Sequence, residues 1–111
     1  MTWSMTAIGY LEYVQTNQSA LQKANSYFGL SYANAQLPFQ VWTETPTGGT
    51  VNFITGVGGF LQGVMFGYGG IRLLEHQMTF TPILPPGTSS MKIRMVRKCS
   101  AACLLCIGFT S

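Results

Sequence analysis

The pattern of apolar and polar residues predicts two helices at the start of the chain. Apolar residues recur every three or four positions over residues 2–15, which places them on one side of a helix. The second predicted helix begins after Asn17 or Ser19, both good amino-cap residues, and reaches Gly29, where a left-handed carboxy-cap is expected. A short connection makes these two helices antiparallel neighbours.

The helical pattern is lost between residues 30 and 49, where Pro38, Pro46 and two glycines interrupt the chain. The compact apolar run in this stretch covers residues 39–42 and indicates a short strand at most. Long loops in compact domains are often functional, because a rigid scaffold holds them while their side chains face a ligand. We therefore expect functional side chains in this loop.

A third helix is predicted over residues 51–68, and it is apolar on nearly every side, so several of its faces should be buried. Gly59, Gly63 and Gly67 are spaced four residues apart and form a strip without side chains, called the glycine ridge below. Each glycine costs a helix about 1 kcal/mol, and close approach of another helix would offset that cost. We expect this partner helix to lie outside the chain.

After Gly69 and Gly70 the pattern changes to short extended runs bounded by prolines and glycines, which predict strands. These runs cover residues 71–74, 77–81 and 91–96. The last of them alternates basic and apolar residues, as expected of a strand with one solvated face.

Composition and pattern together divide the chain into three parts. Residues 1–70 form the helical part, residues 71–97 begin a small β domain, and residues 98–111 form an unrelated tail that is expected to be disordered. The tail contains the cysteines of the chain, Cys99, Cys103 and Cys106. Three thiolates would need a fourth ligand for a structural zinc site, and none lies nearby. Free thiols are the favoured interpretation, and no metal is expected.

The balance of apolar and charged residues indicates that something covers this chain. Of its 111 residues, 47% are hydrophobic and 8% are charged, whereas about a quarter of an ordinary soluble domain is charged. Either the chain lies in a membrane or other parts of a larger protein bury it. The net charge is +3, and four of the basic residues lie together at residues 92–98. No aromatic residues lie between them, so nucleic-acid binding is not expected. No secretory signal follows Met1, which favours the cytoplasm.

Two linked motifs resemble glycoside hydrolase family 65. Residues 38–44 read Pro-Phe-Gln-Val-Trp-Thr-Glu and are similar to a loop of the family's animal members, while residues 51–67 are similar to its last barrel helix. The resemblance covers roughly residues 1–97 and stops at the tail. It implies a mainly α fold, in which the last helices of an (α/α)6 barrel precede a few β-strands of a carboxy-terminal domain. The chain would then be a carboxy-terminal piece of a longer enzyme.

The resemblance implies an inverting α-glucosidase with Glu44 as its general base and with Trp42 and Thr43 at the substrate. Such an enzyme needs one carboxylic acid to protonate the leaving oxygen and one carboxylate, about 6.5–9.5 Å away, to hold the attacking water. The other two carboxylates of the chain are Glu12, on the polar side of the first helix, and Glu75, among the predicted strands. The general acid is therefore expected outside this chain, and the chain alone should be inactive.

The implied substrate is an α-glucoside: the glucosylgalactosyl-hydroxylysine of collagen-type proteins, or a trehalose-like disaccharide. No metal or organic cofactor is implied. Residues 47–50, Thr-Gly-Gly-Thr, form either a plain turn or an anion cradle of free backbone amides, since the family's phosphorylases receive phosphate in this neighbourhood. A carboxylate at Glu44 would repel phosphate, which favours hydrolysis. Trp42 is either a sugar platform or part of the core, and the lone imidazole of His76 is best explained as structural.

A protein of another class is the alternative. Residues 51–68 comprise eighteen positions without a formal charge, near the lower limit of about 17 for a membrane span. In that case the chain would be a small membrane-associated or interaction protein that uses its glycine ridge. Asn52, Thr55 and Gln62 argue against a span, as does the lack of clear aromatic and basic flanks.

Overall fold

The computed structural model describes residues 3–96 and 105–110 and shows a mixed α/β fold. Its helices and strands are α1 Trp3–Glu12, α2 Gln18–Tyr32, β1 Ala35–Gln36, β2 Val41–Thr45, β3 Gly48–Val51, α3 Ile54–Gln62, a π-helix Gly63–Tyr68, β4 Ile71–Leu73, β5 Met78–Phe80, β6 Ser90–Val96 and β7 Leu105–Thr110. Across the described residues, the strands form small antiparallel sheets in the orders β1-β2-β3, β4-β5 and β6-β7. Helices occupy much of residues 3–68 and strands follow after residue 70, as the sequence predicts. The long loop predicted over residues 30–49 instead contains β1, β2 and part of β3, because its residues pair as antiparallel strands, so the fold is mixed α/β and not mainly α.

Helices α1 and α2 form the predicted pair, and Asn17 caps the second one. The Asn17 side-chain oxygen accepts a hydrogen bond from the Ser19 backbone N–H at 3.0 Å. The predicted carboxy-cap at Gly29 is wrong, because α2 continues to Tyr32 and ends at Ala33 in a right-handed helical conformation. The extra turn brings the Tyr32 ring onto that of Phe28, with 5.5 Å between the ring centres.

The core lies where α1 and α2 meet α3 and the π-helix. Phe28 is at its centre, with its ring 5.3 Å from that of Phe60 and 4.8 Å from that of Tyr68. The fully buried Tyr68 donates its hydroxyl hydrogen to Asn25 Oδ1 at 2.6 Å. A buried tyrosine hydroxyl needs a hydrogen-bond partner. Asn25 supplies it here, so the apolar core contains this polar group without an unpaired hydroxyl.

The glycine ridge makes the expected close contact, but its partners are helices of the same chain: α1 at Gly59 and Gly67, and Phe28 of α2 at Gly63. A Cβ added at Gly59 would lie 3.3 Å from Ser4 Oγ, and one added at Gly67 would lie 3.0 Å from Leu11 Cδ1. The expectation of a partner outside the chain was therefore wrong. Ser4 and Leu11 are two turns apart on one side of α1, so the ridge runs along that helix.

The third helix begins later than predicted. Val51 belongs to β3, and Asn52 has a φ of 56°, which is incompatible with a regular helix. The helix α3 therefore starts at Ile54. From Gly63 the helix continues with π geometry to Tyr68. Within the described ranges no helix is long and apolar enough to cross a membrane.

The strands after residue 70 occur close to where they were predicted. β4 pairs with β5 through Ile71 and Phe80, and β6 pairs with β7 through Ser90 and Thr110. Strand β7 lies within the segment that the sequence assigns to a separate tail. The remaining tail residues, 98–104 and 111, lie outside the described part of the chain, and Cys99 and Cys103 are among them.

Arg72 ties the helices to these strands. Its guanidinium donates a hydrogen bond to the Phe66 carbonyl oxygen and forms an ion pair with Glu12 at the end of α1. The backbone that joins the two parts, residues 67–71, is buried throughout. The junction between helices and strands is therefore buried, with a cavity of about 160 Å³ beside Gly67, Gly70 and Arg72.

Candidate active site

The candidate site lies on a β-hairpin between α2 and α3. Strands β2 and β3 pair through Thr43 and Val51 and through Thr45 and Gly48, with an irregularity between the two pairs. Successive residues of a strand point to opposite faces, and here Thr43 is buried whereas Glu44 is exposed. The hairpin thus presents the carboxylate to solvent and anchors the neighbouring residue inside.

The buried Thr43 secures β2 to the loop that precedes it. Its backbone N–H donates to the Asn34 carbonyl oxygen at 3.3 Å, and its Oγ1 lies 2.9 Å from that oxygen and 2.7 Å from the Thr45 carbonyl oxygen. The Asn34 side-chain N–H in turn donates to the Glu44 carbonyl oxygen at 3.0 Å. Asn34 therefore holds the backbone on both sides of the peptide that joins Thr43 to Glu44.

Sequence reasoning did not identify Asn34 or Gln36, whose side-chain N–H donates to Thr43 Oγ1 at 3.3 Å and to the Pro46 carbonyl oxygen at 3.2 Å. These contacts join positions seven to ten residues apart in the chain. They join the loop before β1, and β1 itself, to β2 and the turn after it, so the repeat within a single helix or strand does not reveal them. The sequence signal was the polar composition of the loop, which predicts a turn but does not predict which groups Asn34 and Gln36 bind.

The Glu44 carboxylate is held by the turn that follows it. Its Oε2 accepts from the Thr50 backbone N–H at 3.3 Å and from Thr50 Oγ1 at 3.4 Å. Gly49 has a φ of 82°, and a Cβ there would lie 2.9 Å from Glu44 Cβ. Only glycine fits this position, because it tolerates the left-handed conformation and leaves room for the carboxylate. The two interpretations of residues 47–50 thus combine: the segment is a turn, and one of its amides binds an anion, which is the side chain of Glu44.

Trp42 has one part in the core and another at a surface cavity. Its Nε1 donates to the Ser31 carbonyl oxygen at 3.2 Å, and its ring is 5.4 Å from that of Phe60 at an angle of 48°. The half-buried indole also lines an open cavity of about 290 Å³ beside Phe39 and Ile54. The structure gives the indole a packing role, while its remaining surface faces the cavity.

The other two carboxylates of the chain lie away from the hairpin. Glu12 pairs with Arg72 at the end of α1. Glu75 Oε1 lies 3.6 Å from His76 Nε2, and both of these side chains are exposed. Among the described residues no group of three histidine, cysteine, aspartate or glutamate side chains is arranged to hold a metal ion.

The chain is similar to curated glucosidases along most of its length. It is 53% identical over 95 residues to the protein-glucosylgalactosylhydroxylysine glucosidase of Dictyostelium discoideum, a match that covers 85% of this chain and 13% of that protein. Against the proteins of the same name from Danio rerio and Mus musculus, it is 44% identical over 97 residues and 43% identical over 94 residues. The chain is a homologue of these glucosidases.

These matches cover 86% of this chain and 14% of the Danio rerio glucosidase, and 84% of this chain and 13% of the Mus musculus glucosidase. The chain thus spans about one seventh of the length of its glucosidase relatives. No family model matches the chain, and no solved structure matches it. The similarity to the glucosidases confirms the recognition made from the motifs over residues 38–44 and 51–67.

Proposed function

We propose that this chain is the part of a protein-glucosylgalactosylhydroxylysine glucosidase that carries the general base, Glu44. The observation that carries the proposal is the 53% identity over 95 residues to a relative of that name. The site supports it, because an exposed carboxylate is fixed on a rigid hairpin by its own backbone and side-chain contacts. The substrate is the glucosylgalactosyl-hydroxylysine of collagen-type proteins, with trehalose-like α-glucosides as the lesser option.

In the proposed reaction Glu44 takes a proton from a water molecule as that water attacks the anomeric carbon of glucose. The bond from this carbon to the leaving oxygen breaks, and a carboxylic acid supplied from outside this chain protonates the leaving oxygen. Attack from the opposite face inverts the anomeric configuration, so an α-glucoside gives β-glucose. Glu12 does not suit the role of this acid, because it lies at the end of α1, outside the hairpin, and is paired with Arg72.

Trp42 and Thr43 have different parts in this proposal. Thr43 is buried and bound to the preceding loop, so it fixes the strand beneath Glu44 and acts on the substrate through that strand. Trp42 faces a cavity with part of its indole ring, and a flat aromatic face packs well against the apolar face of a sugar. We assign that surface to the glucose unit.

The same proposal sets the chain within a family 65 glycoside hydrolase. Helices α1, α2 and α3 with the π-helix correspond to the last helices of an (α/α)6 barrel over residues 1–70, and the strands after them begin the small β domain of residues 71–97. The β2–β3 hairpin lies on a connection between two helices. Catalytic groups of helical barrels are expected on such connections, where side chains face a ligand while the helices supply rigidity.

The test is the variant Glu44→Gln in the complete enzyme that contains this segment. We expect kcat for glucose release from glucosylgalactosyl-hydroxylysine to fall by about 10²–10⁴-fold, the usual contribution of a general base. KM should change little, because the amide keeps the shape of the side chain. Glu75→Gln is the matched control, since it removes an exposed carboxylate outside the hairpin and should leave kcat unchanged.

Proton NMR of the glucose that is released first distinguishes inversion of the anomeric configuration from retention. β-Glucose should appear before mutarotation equilibrates the two anomers, as inversion requires. A Glu44→Gln enzyme within about threefold of the parent's kcat would contradict the assignment of Glu44, given the size of a general-base effect. Initial formation of α-glucose would contradict inversion.

A further inference from the structure

The hydrogen bonds to the Glu44 carboxylate are unequally distributed between its two oxygens. Both donors of Thr50, the backbone N–H at 3.3 Å and the Oγ1 hydroxyl at 3.4 Å, are directed at Oε2. Within the described residues, the hydrogen bonds to this carboxylate all end on that oxygen. Oε1 therefore keeps its acceptor sites for a molecule from solvent, and the carboxylate group has a defined orientation.

This arrangement depends on the local backbone and not on the helical core. Gly49 has a φ of 82°, and a side chain there would clash with Glu44, because an added Cβ would lie 2.9 Å from Glu44 Cβ. The adjacent Thr45 hydroxyl donates to the Gly48 carbonyl oxygen at 2.8 Å and so stabilises the same turn. The turn thus brings Thr50 back over the side chain of Glu44.

We propose that Thr50 is a positioning residue for the general base: it binds Oε2 of Glu44 and so aims Oε1 at the attacking water. The proposal rests on the assignment of Glu44 as the base. Acceptance of a proton by Oε1 requires a carboxylate fixed in one rotational state, since an ill-aimed base loses rate even when its charge is intact. Catalytic hydrogen bonds in a ligand-free site are often long and shorten in the substrate complex, which agrees with the 3.3 and 3.4 Å distances.

Two substitutions at this position separate the hydroxyl from the shape of the side chain. Thr50→Val keeps the branched shape and the backbone N–H but removes the hydroxyl, whereas Thr50→Ser keeps the hydroxyl. In the complete enzyme we expect Thr50→Val to lower kcat about tenfold with little change in KM, as for loss of one hydrogen bond to a charged group. Thr50→Ser should restore kcat to within about twofold of the parent.

Thr45→Val is the structural control. It removes a hydroxyl from the same turn but leaves both donors to Glu44 in place. If loosening of the hairpin explained the loss, Thr45→Val would lower kcat as much as Thr50→Val does. Because both donors to Glu44 remain, we expect Thr45→Val to lower kcat by clearly less than Thr50→Val does, and thermal unfolding of the variants should show whether any of them fails to fold.

A double-mutant cycle tests whether Thr50 acts through Glu44. In a Glu44→Gln background, Thr50→Val should change the remaining rate by less than about twofold, because the group that it positions is gone. A further tenfold loss in that background would overturn the proposal, as would a rise in KM with unchanged kcat, which marks a substrate contact. A fully active Glu44→Gln enzyme would overturn the proposed function itself. An inactive Glu44→Gln enzyme with a normal Thr50→Val enzyme would overturn the positioning role alone.

Discussion

Loss of the hydroxyl proton of Tyr68 should destabilise the folded chain. It is fully buried, its ring packs on Phe28, and its hydroxyl donates to Asn25. Burial, and to a smaller extent the neighbouring Tyr32, raises the pKa of Tyr68 from 10.0 to about 12. The folded state therefore keeps this proton at pH values where the unfolded chain releases it.

Tyr68→Phe should reveal this linkage. Below pH 10 the substitution should lower the free energy of unfolding by about 1 kcal/mol, the usual net value of a lost hydrogen bond. Because the tyrosine pKa is higher in the folded state, the contribution of Tyr68 is fully present below pH 10 and is lost as pH rises to about 12. Between these pH values, the contribution of Tyr68 to the free energy of unfolding should fall by up to about 1.4 kcal/mol per pH unit.

Urea unfolding of parent and variant between pH 8 and pH 12 measures this difference, and subtracting the two curves cancels the other tyrosines. Ultraviolet titration of the folded chain should also lose its last phenolate transition, near pH 12, in Tyr68→Phe. Parallel pH curves for the two proteins would show that Tyr68 ionises equally readily in both states.

At the scale of single residues, sequence reasoning finds the groups whose type is distinctive and misses their partners. Asn17 was predicted as a cap because asparagine before an apolar period is a local signal, and the side chain does cap α2. Glu44 was chosen from the family motif, and its catalytic role stays a prediction. The contacts of Thr50 and Asn34 with Glu44 depend on how the hairpin turns, which residue type alone does not encode.

At the scale of elements, the glycine ridge controls how closely α1 can approach the third helical segment. At Gly67 an added methyl group would lie 3.0 Å from Leu11 Cδ1 and 3.3 Å from Ile8 Cγ1. Gly58, one residue before the ridge begins, has nothing within 4 Å of an added Cβ. The two glycines lie in one continuous helical segment but differ in their surroundings.

Gly67→Ala and Gly58→Ala should therefore have opposite effects on stability. Gly67→Ala should lower the free energy of unfolding by about 1–3 kcal/mol, because the side chains of Leu11 and Ile8 would have to shift within the core. Gly58→Ala should raise it by up to about 1 kcal/mol through helix propensity. Chemical denaturation followed by circular dichroism measures both changes, and a stabilising Gly67→Ala would refute the close packing.

The types of most elements were predictable here, but the strands β1 to β3 were not, since residues 30–49 were predicted as a long loop. The ends of the elements were less predictable. The helical period located α1, α2 and α3, and alternation located β4 to β6, since both patterns reflect which face is buried. The ends depended on tertiary contacts: Phe28 and Tyr32 extend α2 past Gly29, and pairing with β2 draws Val51 into β3. The partner of the glycine ridge was misjudged because a strip of glycines indicates close approach without identifying the approaching helix.

At the scale of the whole molecule, the chain exposes much apolar surface for its size. Large apolar side chains that are exposed among the described residues include Leu37, Phe39, Val51 and Ile54, of which Phe39 is 84% and Ile54 80% exposed. These residues lie on or beside the hairpin that carries Glu44. A chain that spans one seventh of its glucosidase relatives would present such surface to the rest of a larger enzyme.

We predict that the 111-residue chain by itself releases no glucose from glucosylgalactosyl-hydroxylysine and associates with itself in solution. Hydrolysis with inversion needs two carboxyl groups about the scissile bond, and the described hairpin supplies Glu44 alone. Assays at acidic and neutral pH, with Glu44→Gln as background, measure the first point, and gel filtration the second. Glucose release above that background would refute the missing-acid hypothesis.

The family resemblance, rather than the hydrophobic pattern, was the source of the barrel expectation. Pattern alone predicted helices followed by strands, and the structure shows that order except for the sheet β1-β2-β3 between α2 and α3. A ring of helices cannot be deduced from a few of its members, because closure depends on chain that contacts them from elsewhere. The barrel therefore remains part of the proposed function, together with the place of Glu44 in it.

The buried junction at residues 67–71 is continuous with the packing beneath the hairpin. Across it, the Ile83 backbone N–H donates to the Tyr68 carbonyl oxygen at 2.8 Å, while the Arg72 guanidinium pairs with Glu12 of α1. From Tyr68, contacts between aromatic rings continue through Phe28 and Phe60 to Trp42, on the strand that bears Glu44. The strands after residue 70 and the hairpin therefore rest on one connected set of side chains.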